Sequence, residues 1–357
     1  MKVISIRSPF QVSVADPTAI ASKVELFIWN KGTAMPTFPT YVMSENIPSV
    51  TQLEMTYNIS PFIAEYINQI QPNKGSTTVT IEDNSNWAYC FAKAYYTTDG
   101  TTFTLISEEL YICLNSFTNP EDGANFDISN LQYVLLTPND KIKITYYTNF
   151  QIPYYNFVCE RDTVSNYIVR YYSSNGSVIN AQTILTAGAI EEYNFRIPLA
   201  YTSASVQIKI FLGTDIIHEV DCELLDECKY TPNNVDFINS YGGWQSMVFF
   251  KASQDSIDIK STDYNVMQSN WNYNPKIGQS KTMNTNGQQT VKCNSGWVDE
   301  NYDLLMRDLL LSETILLNGK PVIVKTKQLM YKTYLKDKNI NYTIDFEYSN
   351  NLINNIV

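Results

Sequence analysis

The chain has 357 residues, enough for two or three domains at roughly 100–200 residues each. Its formal net charge is −11 and its charged share is 17%, against a usual share of about 25%. That sign is opposite to the one needed to neutralise phosphates, so sequence-specific or general nucleic-acid binding is not expected. Met1 to Pro9 lacks the apolar core of a secretory signal, and no run approaches ~18 consecutive apolar residues, so neither export nor a membrane span is expected.

The composition leans to β structure. Hydrophobic residues make up 44% and Tyr alone numbers 26; Tyr and Thr suit a pleated, half-buried surface. Alternation of period two recurs along the chain. Val24, Leu26 and Ile28 alternate with Glu25, Phe27 and Trp29. Ser60-Pro61 predicts a helix start, with Ser as N-cap and Pro at the first helical position, running to about Ile70. An aromatic strand, Trp87 to Tyr96, turns at Asp99-Gly100 into Thr102–Ile106. Ile142, Ile144 and Tyr146 alternate with Lys143 and Thr145. Asn175-Gly176 joins Tyr167–Tyr172 to Val178–Leu185, and Val206, Ile208, Ile210 and Leu212 alternate with Gln207 and Lys209. A second helix is predicted over about 299–311. Its stripe of Tyr302, Leu305, Met306, Leu309 and Leu310 should pack on the C-terminal sheet. Asn318-Gly319 joins Thr314–Leu317 to Pro321–Val324, and Asp337-Lys338-Asn339 turns the chain into the last strand, Ile340 to Tyr348.

Turn-rich clusters at 119–123 and 228–234 suggest three modules. Residues 1–120 form an N-terminal β module with one short helix, and 121–227 a middle β-sandwich. Residues 228–357 form a C-terminal α+β module with the helix at about 299–311 and a terminal hairpin. The expected fold class is mainly β: two or three β-sandwich or barrel-like modules with a few short helices.

Motifs for chemistry are sparse. His218 is the only histidine, so a Ser-His-Asp or Cys-His site would have to use it; it sits in a strand-like run, with no nucleophile elbow nearby. His218, Cys222 and Cys228 are weak metal candidates, because their spacing matches no usual zinc finger or ribbon. No phosphate loop or dinucleotide fingerprint occurs, so no cofactor and no catalytic residue is expected. The six cysteines form no Cys-x-x-Cys pair and read as buried free thiols. Neighbouring tyrosines such as Tyr95-Tyr96 and Tyr171-Tyr172 should face opposite ways in a strand, one toward a core and one outward.

The stretch Glu227 to Pro232, then Val235 to Trp244, then Phe249 to Ser253 resembles a recurring segment in virion structural proteins of tailed phages infecting Bacteroidetes, crAss-like phages included. Asn294-Ser295-Gly296-Trp297, the following helix and the final strand extend the resemblance. So, more loosely, do Ser8-Pro9-Phe10, Val24–Trp29 and Ile59–Ile63. The resemblance implies a tail or neck ring protein without catalysis, assembled in the host cytoplasm and residing in the virion. Its partners would be copies of itself in a cyclic ring, six- or twelve-fold, and neighbouring portal, neck or tail proteins. Trp29, Tyr95, Tyr146, Tyr154, Tyr241, Trp244, Trp271 and Trp297 are the aromatic residues expected at such contacts. The alternatives are a glycan- or receptor-binding β-sandwich protein of the tail tip or cell surface, and a tail-associated hydrolase with converging carboxylates.

Overall fold

The computed structural model describes residues 2–30, 33–47, 54–67, 80–82, 87–125, 133–135, 141–145, 154–159, 166–185, 191–196, 206–225, 229–267, 274, 276, 278–298, 302–328 and 340–353. The protein is mainly β, with two α-helices among these residues. The chain forms two compact units: 1–225 with 238–246, and 226–237 with 247–357. The division expected near residue 120 falls inside the first unit. So does a strand at 80–82, which pairs with the middle sheets and not with its sequence neighbours.

The first unit opens with β1 (Lys2–Ser5), β2 (Gln11–Ala15), β3 (Ala21–Trp29), β4 (Tyr41–Asn46), β5 (Glu54–Asn58), α1 (Ser60–Ala64), β6 (Thr80–Glu82), β7 (Trp87–Thr97) and β8 (Thr104–Leu114). A five-stranded sheet runs β1-β8-β7-β3-β4, and β2 pairs with β5 as a separate ribbon. Alternation explains why they pack. Val24, Leu26 and Ile28 of β3 and Ala88, Cys90, Ala92 and Ala94 of β7 share one buried face with Val12, Val14, Met55 and Tyr57 of the ribbon. The small residues of β7 leave room for the ribbon to approach, and β2 contacts β7 directly. The Tyr57 hydroxyl, buried there, meets the Ser22 hydroxyl at 2.7 Å and donates to the Ser22 carbonyl at 2.9 Å.

Helix α1 differs from the sequence expectation. Its N-cap is Ile59, and Ser60 lies inside the first turn. The Ser60 hydroxyl is used elsewhere: it accepts the Phe10 N–H at 3.0 Å and donates to the Ser8 carbonyl at 2.7 Å, tying the chain between β1 and β2 to the helix. The helix ends at Ala64, and residues 68–70 lie outside the described residues.

The Asp99 turn joins β7 to β8 as predicted. The Asp99 carboxylate accepts N–H groups of Thr102 and Thr101, both at 2.8 Å, and the Thr97 hydroxyl at 2.9 Å. These bonds hold its carboxyl well below the usual carboxylate range.

The middle of the chain supplies β9 (Tyr133–Leu135), β10 (Lys141–Thr145), β11 (Tyr154–Cys159), β12 (Asn166–Tyr172), β13 (Val178–Leu185), β14 (Glu191–Arg196), β15 (Val206–Leu212) and β16 (Asp215–Leu225). They form two sheets, β10-β16-β15-β12-β13 and β6-β14-β11-β9. Val169, Tyr171, Ile208, Ile210 and Val220 make the buried face of the larger sheet. Its other face carries cross-strand pairs: Lys209 to Glu219 at 2.6 Å and Gln207 to Asp221 at 2.9 Å.

The second unit is built on β17 (Asn233–Ile238), β18 (Trp244–Phe249), β19 (Gln254–Asn265), β20 (Ser280–Val298), α2 (Tyr302–Leu311), β21 (Ile315–Leu317), β22 (Lys320–Val324) and β23 (Ile340–Tyr348). One seven-stranded sheet runs β18-β17-β21-β22-β23-β20-β19, and the tip of the β17–β18 hairpin groups with the first unit. The predicted stripe of α2 packs on this sheet, with Tyr302, Leu305, Met306 and Leu309 among Val235, Phe237, Val291, Ile344 and Phe346. The Asn318-Gly319 turn has positive φ at both residues, 51° and 81°, as a two-residue hairpin requires. The Asn318 side chain also accepts the Asn234 N–H at 2.9 Å, locking this hairpin to β17. In β20 a bulge at 294–297 places Gly296 against the Phe250 ring, where a Cβ would stand 2.5 Å away; glycine is required there. The turn at 337–339 lies outside the described residues.

Two predictions follow from this packing. Met306→Ala, at a fully buried position, should cost about 2–5 kcal/mol in denaturant unfolding, whereas Leu304→Ala, on the exposed side of α2, should stay within about 0.5 kcal/mol. A carboxyl whose pKa is lowered in the fold contributes stability above its unfolded value, about 3.9, and loses it as pH falls. Asp99→Ala should therefore lower the melting temperature at pH 7, with the gap to wild type closing below about pH 4.

Candidate interaction surfaces

The outer face of the N-terminal sheet gathers large rings. In β7, Trp87, Tyr89, Phe91 and Tyr95 point away from the side that buries Ala88 to Ala94. Trp87 is itself buried with Val3, Ile112 and Leu114, with Tyr89 packed against them. Across the β3 register Trp29 faces Tyr89 and Phe27 faces Phe91. Trp29 and Tyr89 stack at 5.3 Å with 24° between planes, and Trp87 meets Tyr89 edge-on at 4.9 Å. Two lysines lie over the rings: Lys23 at 4.6 Å from Tyr95 and 4.8 Å from Phe103, and Lys93 at 5.3 Å from Phe91. Lys23 also pairs with Glu25 at 2.7 Å. Burial, helped by the Glu25 and Glu108 carboxylates, raises the Tyr95 hydroxyl above its ordinary range.

Of the aromatic residues singled out from the sequence, Trp29 and Tyr95 both lie on this face, at opposite ends of the β3–β7 pairing, Trp29 opposite Tyr89 and Tyr95 opposite Lys23. Tyr96 packs toward the core, so the pair splits as expected, and Tyr171 and Tyr172 do likewise. Trp244 is 1% exposed, so its ring is spent inside the protomer and is not offered at the surface. Tyr241, at the tip of the β17–β18 hairpin, is 44% exposed, and Trp297, at the β20 bulge, is 61% exposed. Tyr154 stands opposite Arg196 in the β11–β14 register. Tyr146 and Trp271 lie outside the described residues.

A surface that sequence reasoning missed is the β19–β20 ribbon. β19 is 12 residues long, exposed at every residue, and forms the edge of its sheet with β20 as its neighbour among the described residues. Ile259 is 70% exposed and Ile257 56%. They flank Gly287 of β20, beside which Leu352 also lies. The C-terminal residues brace the ribbon up to this point, with Leu352 N–H to the Gly287 carbonyl at 2.8 Å and Ile353 N–H to Asn286 Oδ1 at 3.1 Å. Past Asn286 a bulge, with Asn284 at φ 52°, shifts the register. The strands then run on in pairing with each other to Val266 and Gln279. That distal segment spans about 20 Å. The signal in the sequence was the Ile-Asp-Ile-Lys alternation at 257–260, which reads like any half-buried strand.

The chemistry on offer elsewhere is limited. His218 lies opposite Ile210 on the apolar face of the middle sheet, and position 222 shares that face by register; Cys228 lies outside the described residues. Among the described residues no group of three or more His, Cys, Asp or Glu could hold a metal ion. A cleft of about 460 Å³ between β3, β4 and the Asp99 turn is lined by Ser22, Ser44, Asn46 and Phe103, with Glu45 as the one acid among its lining residues. Among the described residues no helix is long and apolar enough to cross a membrane.

Cys90, Cys113 and Cys293 are free and buried. Burial raises the Cys113 thiol well above its ordinary value, with the Cys90 thiol beside it adding to the effect. Burial, together with Asp255 and Asp345, pushes Cys293 up to about 12. Iodoacetamide at neutral pH should leave all three unmodified in the native protein and label them in denaturant, read by peptide mass spectrometry. Rapid native labelling would show that these sheets open.

No protein-family model matches the chain, and no curated protein matches it in sequence. Among solved structures, the crystal structure of calcium binding domain CBD12 of CALX1.1 aligns with 60% of this chain and 78% of that chain, at 9% identity and a TM-score of 0.17. At that score the likeness carries no argument about fold or function.

Proposed function

We propose that the protein is a non-enzymatic structural subunit of a tailed-phage virion, working in the neck or tail by assembling with copies of itself and neighbouring virion proteins. The observation that carries the assembly role is β19, an edge strand of 12 residues exposed end to end. Such an edge presents unpaired backbone donors and acceptors, and isolated proteins usually blunt it. A two-stranded ribbon projecting into water is itself marginal and gains order when another chain completes it.

The aromatic face supports the same reading. Trp29 and Tyr89 stack on each other, so each has one ring face already taken. A glycan platform would need ring faces open to a sugar. The virion assignment itself rests on the sequence resemblance across Glu227–Trp244 and Phe249–Ser253.

The test is mass spectrometry of purified particles together with electron microscopy of the isolated protein. The expected result is the chain at fixed stoichiometry in virions, and closed rings on assembly. A protein absent from particles, or one that binds purified glycans as a monomer, would overturn the proposal.

A further inference from the structure

We infer that the free edge of β19 is a self-complementary pairing site, at which two copies of the chain join antiparallel about a two-fold axis through Ile259. This deepens the assembly reading by naming the partner at one surface. The argument starts from the strand's charges. β19 carries Asp255, Asp258 and Asp263 and one cation, Lys260. A two-fold axis perpendicular to the sheet brings together residues that point to the same face. Side chains alternate along a strand, so Asp258 shares the face of Lys260 and the other two acids do not.

One register therefore sets acid opposite base, and it centres on Ile259. There Asp258 of each copy faces Lys260 of the other, and Ser256 faces Thr262. On the opposite face Ile259 meets its own copy and Ile257 meets Ser261. The apolar strip of Leu352, Ile257 and Ile259 around Gly287 then continues across the axis. Moving the axis one residue to Asp258 or Lys260 sets like charge against like. The Ile259 register also places Asp255 opposite Asp263, near the ends of the paired segment, where water and salt screen them. The contact is isologous and so is additional to the heterologous contacts that close a ring.

The full chain should sediment as a concentration-dependent dimer or a multiple of one. Lys260→Asp, which leaves carboxylates facing Asp258, should raise the dissociation constant at least about tenfold. Adding Asp258→Lys to it restores the opposed pairs and should restore dimerisation. Ile259→Cys should form an intermolecular disulfide under mild oxidation, whereas Ile257→Cys, facing Ser261, should not. All these residues are exposed, so unchanged circular-dichroism melts control for folding. A wild-type chain that stays monomeric to about 100 µM, a Lys260→Asp variant that associates like wild type, or failure of the charge swap to rescue would each overturn the pairing. A monomer still present in virions would sink this inference alone; a dimer absent from virions would sink the virion role alone.

Discussion

Backbone N–H and C=O groups at a sheet edge must be paired, hydrated or covered, and this demand organises the protein. Much of the second unit answers it internally. β23 is flanked by β22 and β20, β17 by β18 and β21, and the Asn318 side chain ties the β21–β22 turn to β17. Of the two edge strands of its sheet, β18 is buried throughout and β19 is exposed throughout, so β19 is where the demand meets solvent. Its inner edge is satisfied by β20; among the described residues no strand pairs with its outer edge, and all 12 of its residues are exposed.

The cores differ from sheet to sheet in which faces they commit: the N-terminal sheet buries one face against the ribbon and, at one end, Val3, Trp87, Ile112 and Leu114 on the other. In the N-terminal sheet, alanines and Cys90 on β7 let the β2–β5 ribbon sit close, which forces the large rings of the same strand to the other side. Tyr89, Phe91 and Tyr95 are thus a consequence of the small inner residues as much as a feature in themselves, while Trp87 is buried in a small cluster of its own. Lys23 and Lys93 lie across these rings and keep half-buried aromatic surface compatible with water.

In the second unit, α2 covers the sheet with Tyr302, Leu305, Met306 and Leu309. The strands it covers are held in place by local devices: the Gly296 bulge, and the Ser295 hydroxyl that accepts the Tyr342 N–H at 3.0 Å. The buried Glu347 is balanced by Lys325 at 2.7 Å. These devices fix the strands next to the ribbon, so β19 projects from a rigid base.

The sequence by itself determined the class of the fold and much of its local detail. Alternation gave β3, β15 and β23, the Asn-Gly and Asp-Gly pairs gave three hairpin turns, and the apolar stripe gave α2, because these signals arise from contacts within a few residues of chain. It misplaced the role of Ser60, whose hydroxyl serves residues some fifty positions away. It also could not separate Trp244, buried, from Trp297, exposed, since both occupy similar strand patterns. Above all, which strand lies at an edge is a property of sheet order, and sheet order depends on pairings between distant segments. Ile257 and Ile259 alternate with polar residues as on any half-buried strand; only the tertiary structure places them on a strand with one neighbour among the described residues.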